Sequence, residues 1–121
     1  MKKRILIVDD EREACTALVD ILKDNYDVMC AYDGEEALRA IEEVRPHLII
    51  MDYDMPVLDG IAATEYILMN PENRSIKFIL LSAYLHGKRV QDWIALIDNP
   101  VVFNKPCDID ELEAAVQALL A

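Results

Sequence analysis

The feature that most restricts the fold is a fivefold alternation between a short apolar run and a longer segment of helical periodicity. The apolar runs are Arg4 to Val8, Tyr26 to Ala31, Leu48 to Met51, Ile76 to Leu81 and Val101 to Phe103. The predicted helices are Glu11 to Lys23, Glu35 to Val44, Ile61 to Met69, Lys88 to Ile97 and Asp108 to Leu120. Nearly continuous apolar runs are typical of parallel strands that are buried on both faces. The alternation therefore predicts an α/β fold, a doubly wound five-stranded parallel sheet covered by five helices.

The ends of two predicted elements can be read in more detail. Asp27 places a charge within the second strand, which favours an edge position in the sheet. Asp33 followed by Glu36 has the spacing of a helix N-cap and its partner. Both features agree with the element order.

Length and apolar content limit the class of protein. The 121 residues fit one domain, residues 1-121, with a single core. The apolar runs are far shorter than a bilayer span, so we expect no membrane insertion. Because two aspartates follow the first apolar run at once, the N-terminus does not look like a secretory signal, and we expect a cytoplasmic protein.

Charge and cysteine content exclude other classes. The formal net charge of −11 argues against direct nucleic-acid binding, which requires basic residues to neutralise phosphates. The three cysteines, Cys15, Cys30 and Cys107, are widely spaced and form no CxxC pair. We therefore expect buried or half-buried thiols rather than a disulfide framework or a zinc site.

Polar side chains collect where the predicted strands end. Asp9 and Asp10 follow the first strand, Asp52 the third, Ser82 the fourth and Lys105 the fifth. Since ligands of an open parallel sheet bind beyond the carboxyl ends of its strands, these five side chains predict one site. Each taken alone has an ordinary interpretation, such as a helix cap, a loop carboxylate or a surface lysine. Their joint placement favours a functional site.

Three converging carboxylates need a cation, because each ionised group raises the pKa of its neighbours. Mg²⁺ accepts oxygen ligands and commonly uses one or two carboxylates together with water. One carboxylate could then attack phosphorus, as in enzymes that form an aspartyl phosphate. A magnesium ion and Lys105 would neutralise the charge of the transferring phosphoryl group.

With these residues identified, the whole chain resembles the receiver domain of two-component response regulators, the CheY-like family. Four stretches carry the resemblance: VDDE at residues 8–11, D-x-x-M-P-x-x-D-G within residues 52–60, LSA at 81–83 and KP at 105–106. The resemblance implies the flavodoxin-like strand order 2-1-3-4-5. It also implies a phosphorelay protein in which Asp52 accepts a phosphoryl group from a histidine kinase or a histidine phosphotransfer protein.

The resemblance assigns the other site residues as well. It implies that Asp9, Asp10, Asp52 and the backbone carbonyl of Asp54 hold Mg²⁺. Ser82 and Lys105 would contact the phosphoryl group, and the Lys105-Pro106 peptide would be cis. Asp54 and Tyr84 would lie at the rim of the site and influence the lifetime of the phosphoryl group.

The chain departs from the family pattern at one position. Receivers commonly carry Tyr or Phe three residues before the lysine, where this chain has Val102. The aromatic residue, Phe103, comes one position later, and alternation along a strand places it on the same face as Lys105. We therefore expect Phe103 to be a core residue, and the usual switch position carries no aromatic side chain.

Three functions are compared. The favoured one is a receiver that signals to a downstream protein target or output domain and catalyses only its own phosphorylation and dephosphorylation, acting alone or as an excised domain. The first alternative is a receiver-like interaction domain that works without phosphorylation. The second is a small phosphohydrolase, since Asp52-Tyr53-Asp54 resembles the D-x-D of the haloacid dehalogenases. Here, however, that motif follows the third strand rather than the first, and the chain is too short for a substrate-covering cap.

Overall fold

The computed structural model describes residues 2–53, 60–83 and 85–121. Five strands form one parallel sheet in the order β2-β1-β3-β4-β5. The strands are β1 (Arg4–Val8), β2 (Asp27–Ala31), β3 (Leu48–Asp52), β4 (Lys77–Ser82) and β5 (Val101–Asn104). The helices are α1 (Arg12–Leu22), α2 (Gly34–Val44), α3 (Gly60–Met69), α4 (Lys88–Ala95) and α5 (Ile109–Leu120). The predicted fold class and strand order are confirmed.

Two apolar layers cover the sheet, one on each face. The α1–α5 face contains Ile5, Ile7, Cys15, Leu18, Leu22, Leu48, Ile50, Ile79, Leu81, Leu112 and Val116. The α2–α4 face contains Leu6, Val8, Ile41, Ile49, Met51, Ile67, Phe78, Leu80, Val90 and Trp93 among its buried residues. Because successive strand residues point to opposite faces, strands between two apolar layers need apolar residues at nearly every position. This explains the continuous runs in the sequence.

The edge position predicted for β2 is confirmed. Within the described part of the chain, strand β2 pairs with β1 alone, and its first residue Asp27 is exposed. The predicted cap of α2 is also present: Asp33 Oδ1 accepts a hydrogen bond from the Glu36 backbone N–H at 2.8 Å. The Glu36 carboxylate in turn accepts one from the Tyr32 N–H at 3.2 Å. Both ends of this pair satisfy backbone donors near the helix start.

Some element boundaries differ from the prediction. The chain after α3 forms a short 3₁₀ turn, Pro71–Ser75, which is absent from the predicted elements. The Asn70 side chain accepts a hydrogen bond from the Glu72 N–H at 3.0 Å, and proline fits the first position of such a turn. Helix α4 ends at Ala95 rather than Ile97, because the Leu96 and Ile97 N–H groups bond to carbonyls three residues back.

Trp93 is fully buried on the inner side of α4, as expected for a core residue. Its Nε1–H donates to Thr64 Oγ1 at 2.8 Å, and the Thr64 hydroxyl donates to the Gly60 carbonyl at 2.6 Å. The Tyr53 ring lies with its centroid 5.3 Å from that of Trp93. A Cβ at Gly60 would lie 3.1 Å from the Trp93 ring and 3.3 Å from the Asp52 carbonyl oxygen. A small residue at position 60 therefore lets α3 begin against both groups.

None of the helices in the described part of the chain combines the length and the apolar character that crossing a bilayer requires.

Candidate functional site

The carboxyl ends of four strands bring the predicted side chains together. Asp52 is the last residue of β3 and Ser82 the last residue of β4, one residue further than predicted in each case. Parallel pairing extends the strands this far, since Asp52 lies beside Leu81 in the register. Beyond the end of β5, the Lys105 N–H donates to the Ser82 carbonyl at 2.9 Å. The sheet itself thus fixes the positions from which these side chains project.

Three carboxylates converge at this edge. Asp9, Asp10 and Asp52 each offer an oxygen atom, and these atoms lie within 4.8 Å of one another. Asp9 and Asp52 are buried, with relative exposures of 4% and 3%, whereas Asp10 is exposed. Two buried carboxylates and one open to water match the oxygen donors that a divalent ion such as Mg²⁺ takes. The donor set fits the ion that the sequence predicts.

Asp9 is held by bonds on three of its groups. Its Oδ1 accepts from the Glu11 N–H at 2.9 Å, and its own N–H donates to the Ala31 carbonyl at 3.1 Å. Its carbonyl oxygen accepts from the Cys15 thiol at 3.6 Å. Helix α1 begins at Arg12 with Glu11 as its N-cap and no side-chain cap bond. Glu11, rather than Asp9 or Asp10, therefore occupies the N-cap position, and Asp9 bonds to the backbone N–H of that cap residue.

Lys105 supplies positive charge directly beside the carboxylates. Its Nζ lies 2.5 Å from Asp52 Oδ1 and 4.0 Å from Asp9 Oδ2. The lysine side chain is 30% exposed, so its ammonium group lies between the buried acids and solvent. The lysine therefore compensates part of the negative charge, and a small anion can approach it from outside.

Burial dominates the electrostatics of the site. Desolvation raises the pKa of Asp52 to about 6, although the hydrogen bond and the charge of Lys105 oppose the shift. Burial also raises the pKa of Asp9, against its bond from the Glu11 N–H. For Lys105, burial lowers the pKa, but the bond to Asp52 and the nearby acids raise it more, so it stands above its ordinary value. One lysine does not fully compensate the acids, and a divalent cation would complete the compensation.

These shifts predict how stability without metal depends on pH. The native state holds a proton on Asp52 up to about pH 6, whereas the unfolded chain loses it near 3.8. The free energy of unfolding should therefore fall as the pH rises from about 4 to about 6. An Asp52→Asn variant, which lacks the buried charge, should be more stable than the wild type by about 1 to 3 kcal/mol at about pH 7.5.

Urea unfolding with chelator at several pH values checks this prediction. The difference in the free energy of unfolding between Asp52→Asn and the wild type should decrease as the pH falls from about 6 to about 4. Asp20→Asn is the matched control, because Asp20 is exposed on α1 and, among the residues that the structure describes, pairs only with exposed Lys23 at 3.4 Å. If Asp52→Asn is no more stable than the wild type, or more stable by the same amount at all pH values, the buried charge of Asp52 is not destabilising.

Two of the predicted positions lie outside the described residues. These are Asp54, whose carbonyl was assigned to Mg²⁺, and the rim residue Tyr84. Ser82 is within the described part and is buried at the end of β4. The Lys105-Pro106 peptide is cis, as the resemblance implied.

The residues near the expected aromatic switch take the faces that strand alternation predicts. Val102 packs on the α2–α4 face, and Phe103, half-buried, packs on the α1–α5 face. Leu81 pairs with Phe103 and Ser82 with Asn104, without a bulge between them. Phe103 is thus a partly buried core residue, and the usual switch position holds valine.

Two contacts around the site were not predicted from the sequence. The Cys15 thiol bonds to the Asp9 carbonyl, and Thr64 links the Trp93 indole to the start of α3. The helical spacing of Gly60 and Thr64 shows that they share one helix face, but no motif marks either contact. The candidate metal-binding cluster among the described residues contains neither His47 nor His86.

Comparison with known proteins agrees with this geometry. A sequence model of the family described as "Response regulator receiver domain" matches residues 5–117. A curated relative, the probable chemotaxis protein CheY of Rhizobium etli, is 33% identical over 120 residues, which cover 98% of this chain and 92% of that protein. The alkaline phosphatase synthesis transcriptional regulatory protein PhoP of Bacillus subtilis is also 33% identical, but this chain spans only 49% of its length.

Solved structures show the same similarity. The receiver domain of a sensor histidine kinase from Pseudomonas aeruginosa, crystallised with a magnesium ion coordinated in its active-site cleft, is 29% identical. The two structures superpose with a TM-score of 0.87, and the match covers 99% of this chain and 98% of that one.

Proposed function

The chain belongs to the response regulator receiver domain family, and from that premise we propose that Asp52 is the side chain on which this phosphoacceptor domain receives its phosphoryl group. The observation that carries the proposal is the position of its carboxylate. Asp52 is buried at the end of a central strand, in contact with Lys105 and within reach of two further carboxylates. Among the three acids of the cluster, Asp52 has the shortest contact to the lysine ammonium group.

The chemistry follows from these contacts. An Asp52 oxygen attacks the phosphorus atom of a phosphodonor, a P–O bond forms, and the bond to the leaving group breaks. Lys105 neutralises negative charge beside the acceptor carboxylate and the incoming phosphoryl group. Burial of Asp52 removes competing water from this oxygen and strengthens its attraction to the lysine. Positioning and charge compensation provide most of the catalysis in such transfers.

Mg²⁺ is the proposed cofactor, held by Asp9, Asp10 and Asp52 with the Asp54 carbonyl as a fourth protein ligand. When bound, the ion would neutralise the phosphoryl oxygens that Lys105 does not reach. Two observations support this: the oxygen donors lie within 4.8 Å of one another, and a relative of the same fold was crystallised with magnesium in its cleft. Ser82, buried beside Asp52 at the end of β4, is the proposed hydroxyl donor to the phosphoryl group.

We assign the partners by the same reasoning. A histidine kinase or histidine phosphotransfer protein is the proposed phosphodonor, and a downstream protein target or output domain the proposed receiver of the signal. The proposed location is the cytoplasm. The domain would act on no separate substrate and would catalyse only its own phosphorylation and dephosphorylation. The net charge of −11 supports protein partners over direct contact with nucleic acid.

The test is phosphoryl uptake from acetyl phosphate, followed by intact mass spectrometry. With Mg²⁺ the protein should gain the mass of one phosphoryl group, and chelation of the metal should prevent the gain. Circular dichroism of the same samples shows that the fold is intact. No gain in folded protein with Mg²⁺ would favour the alternative of a receiver-like interaction domain without phosphorylation.

A further inference from the structure

Two of the three cysteines form a pair beside the site. Cys15 lies on α1 and is fully buried, whereas Cys30 lies on β2 and is half-buried. Both pack in the apolar layer of the α1–α5 face, and the interaction between the two thiols raises the pKa of Cys15 and lowers that of Cys30. Both thiols are free. The chain therefore carries a dithiol contact between a helix and an edge strand.

The backbone around Asp9 keeps this pair in place. Cys30 lies beside Ile7 in the β1–β2 register, one residue before Ala31. The Ala31 carbonyl accepts from the Asp9 N–H at 3.1 Å, and the Asp9 carbonyl accepts from the Cys15 thiol at 3.6 Å. Cys15 and the residue that follows Cys30 thus bond to the carbonyl and the N–H of Asp9, whose carboxylate belongs to the acidic cluster.

We propose that Cys15 and Cys30 are a redox-sensitive dithiol, which a peroxide converts to an intramolecular disulfide that weakens the metal site through Asp9. The effect on the metal rests on the proposed function, whereas the thiol chemistry does not. Disulfides in reducing compartments are usually transient and redox-sensing, which suits a pair on a signalling domain.

The reaction balances in two steps. The more accessible Cys30 sulfur attacks one peroxide oxygen, the O–O bond breaks, and a sulfenic acid and water form. The Cys15 sulfur then attacks the Cys30 sulfur and displaces hydroxide, which takes the Cys15 proton and leaves as a second water. The two thiols lose two electrons in total, and hydrogen peroxide is reduced to two waters.

The disulfide changes the surroundings of Asp9 directly. The Cys15 S–H is consumed, so the Asp9 carbonyl loses its thiol donor. The new bond also ties the first turns of α1 to β2. Loss of one hydrogen bond that positions a ligand residue corresponds to a weakening of Mg²⁺ binding by about 2- to 10-fold.

The pairing is tested by treating the folded chain with hydrogen peroxide, alkylating the remaining thiols and digesting with trypsin. The three cysteines fall in three different peptides, 13–23, 24–39 and 90–121, since trypsin does not cleave before Pro106. We expect a linked peptide that joins 13–23 to 24–39, two hydrogens lighter than its parts and separated by dithiothreitol. Only Cys107 should be alkylated.

Matched variants decide the outcome. Cys107→Ser should still form the linked peptide, because Cys107 belongs to the β5–α5 connection rather than to the pair. Cys30→Ser and Cys15→Ala should each form none, and thermal unfolding of both confirms that they fold. Three alkylated cysteines in peroxide-treated wild type, or linkage through Cys107, would overturn the proposal.

Calorimetric titration with Mg²⁺ tests the second part of the proposal, the effect of the disulfide on metal binding. Oxidised wild type should bind Mg²⁺ about 2- to 10-fold more weakly than the reduced form, and oxidised Cys30→Ser should not change. Equal affinities in the presence of the linked peptide would overturn the coupling to Asp9. Because the peptide readout needs neither metal nor phosphodonor, failure of the pair and failure of the proposed function are distinguishable.

Discussion

Replacement of Asp52 by asparagine is expected to abolish phosphoryl uptake from acetyl phosphate in the presence of Mg²⁺. The amide has almost the shape of the carboxylate but lacks its negative charge and its nucleophilic oxygen. The side chain is buried against Lys105, so a substituent of the same size leaves the surrounding packing unchanged. Intact mass spectrometry should show no addition to the variant under conditions in which the wild type gains one phosphoryl group.

The control for this loss is Asp20→Asn, which makes the same change in net charge on an exposed part of α1. It should take up phosphoryl groups at the wild-type rate. Since Asp52→Asn should be the more stable protein at neutral pH, its loss of uptake would not reflect unfolding. Addition of one phosphoryl group to Asp52→Asn would show that another residue is the acceptor, and it would overturn the proposed role of Asp52.

Replacement of Asp10 by asparagine is expected to weaken Mg²⁺ binding by about 10- to 100-fold. Removal of the carboxylate charge takes several kcal/mol of Coulomb attraction from a divalent ion bound a few ångströms away near the surface. Because solvent screens this attraction, the expected loss of binding free energy is about 1.4 to 2.8 kcal/mol. Asp10 is exposed, so the substitution should cost little folding free energy. Calorimetric titration with Mg²⁺ measures the change.

Asp20→Asn again provides the comparison, because it changes the net charge by one unit outside the cluster. Its Mg²⁺ affinity should stay within about twofold of the wild type, as expected for a distant and screened charge. If both variants weaken Mg²⁺ binding equally, the effect comes from the overall charge of the domain. Asp10 would then not be a ligand.

The sequence determines much of this site because strand ends are visible in it. Asp9, Asp52 and Lys105 each follow an apolar run, and parallel pairing necessarily brings such positions to one edge of the sheet. The alternation that produced the fold prediction therefore also located the acids and the lysine. The helix cap at Asp33 was equally readable, since it depends on residues only three positions apart.

Contacts between distant elements were not readable in the same way. The Trp93–Thr64 hydrogen bond joins residues 29 positions apart, and no spacing rule relates α3 to α4. The contact between Cys15 and the Asp9 carbonyl depends on the path of the chain into α1, which the residue types do not specify. The predicted ends of elements were wrong where local hydrogen bonds override residue propensity, as at the end of α4, where the last N–H groups bond three residues back.

The face of the sheet on which each β5 residue lies was predictable from strand alternation. What valine at the usual switch position means for signalling was not predictable. Valine at position 102 fills the α2–α4 face with a branched side chain that lacks an aromatic ring to reorient. On that face, the Tyr53 and Trp93 rings lie with their centroids 5.3 Å apart. Tyr53 follows Asp52 directly, so the end of β3 and α4 are connected through these two rings.

The buried indole has a practical consequence as well. Trp93 is the single tryptophan of the 121 residues, so the long-wavelength emission of the whole protein comes from one fluorophore. That fluorophore touches the residue next to Asp52 and donates its N–H to the Thr64 hydroxyl. Any ligand that shifts Tyr53 or the start of α3 changes the dipoles and the quenching groups around it. The native chain therefore carries its own optical probe, and a ligand that shifts these groups can be followed in real time without a label.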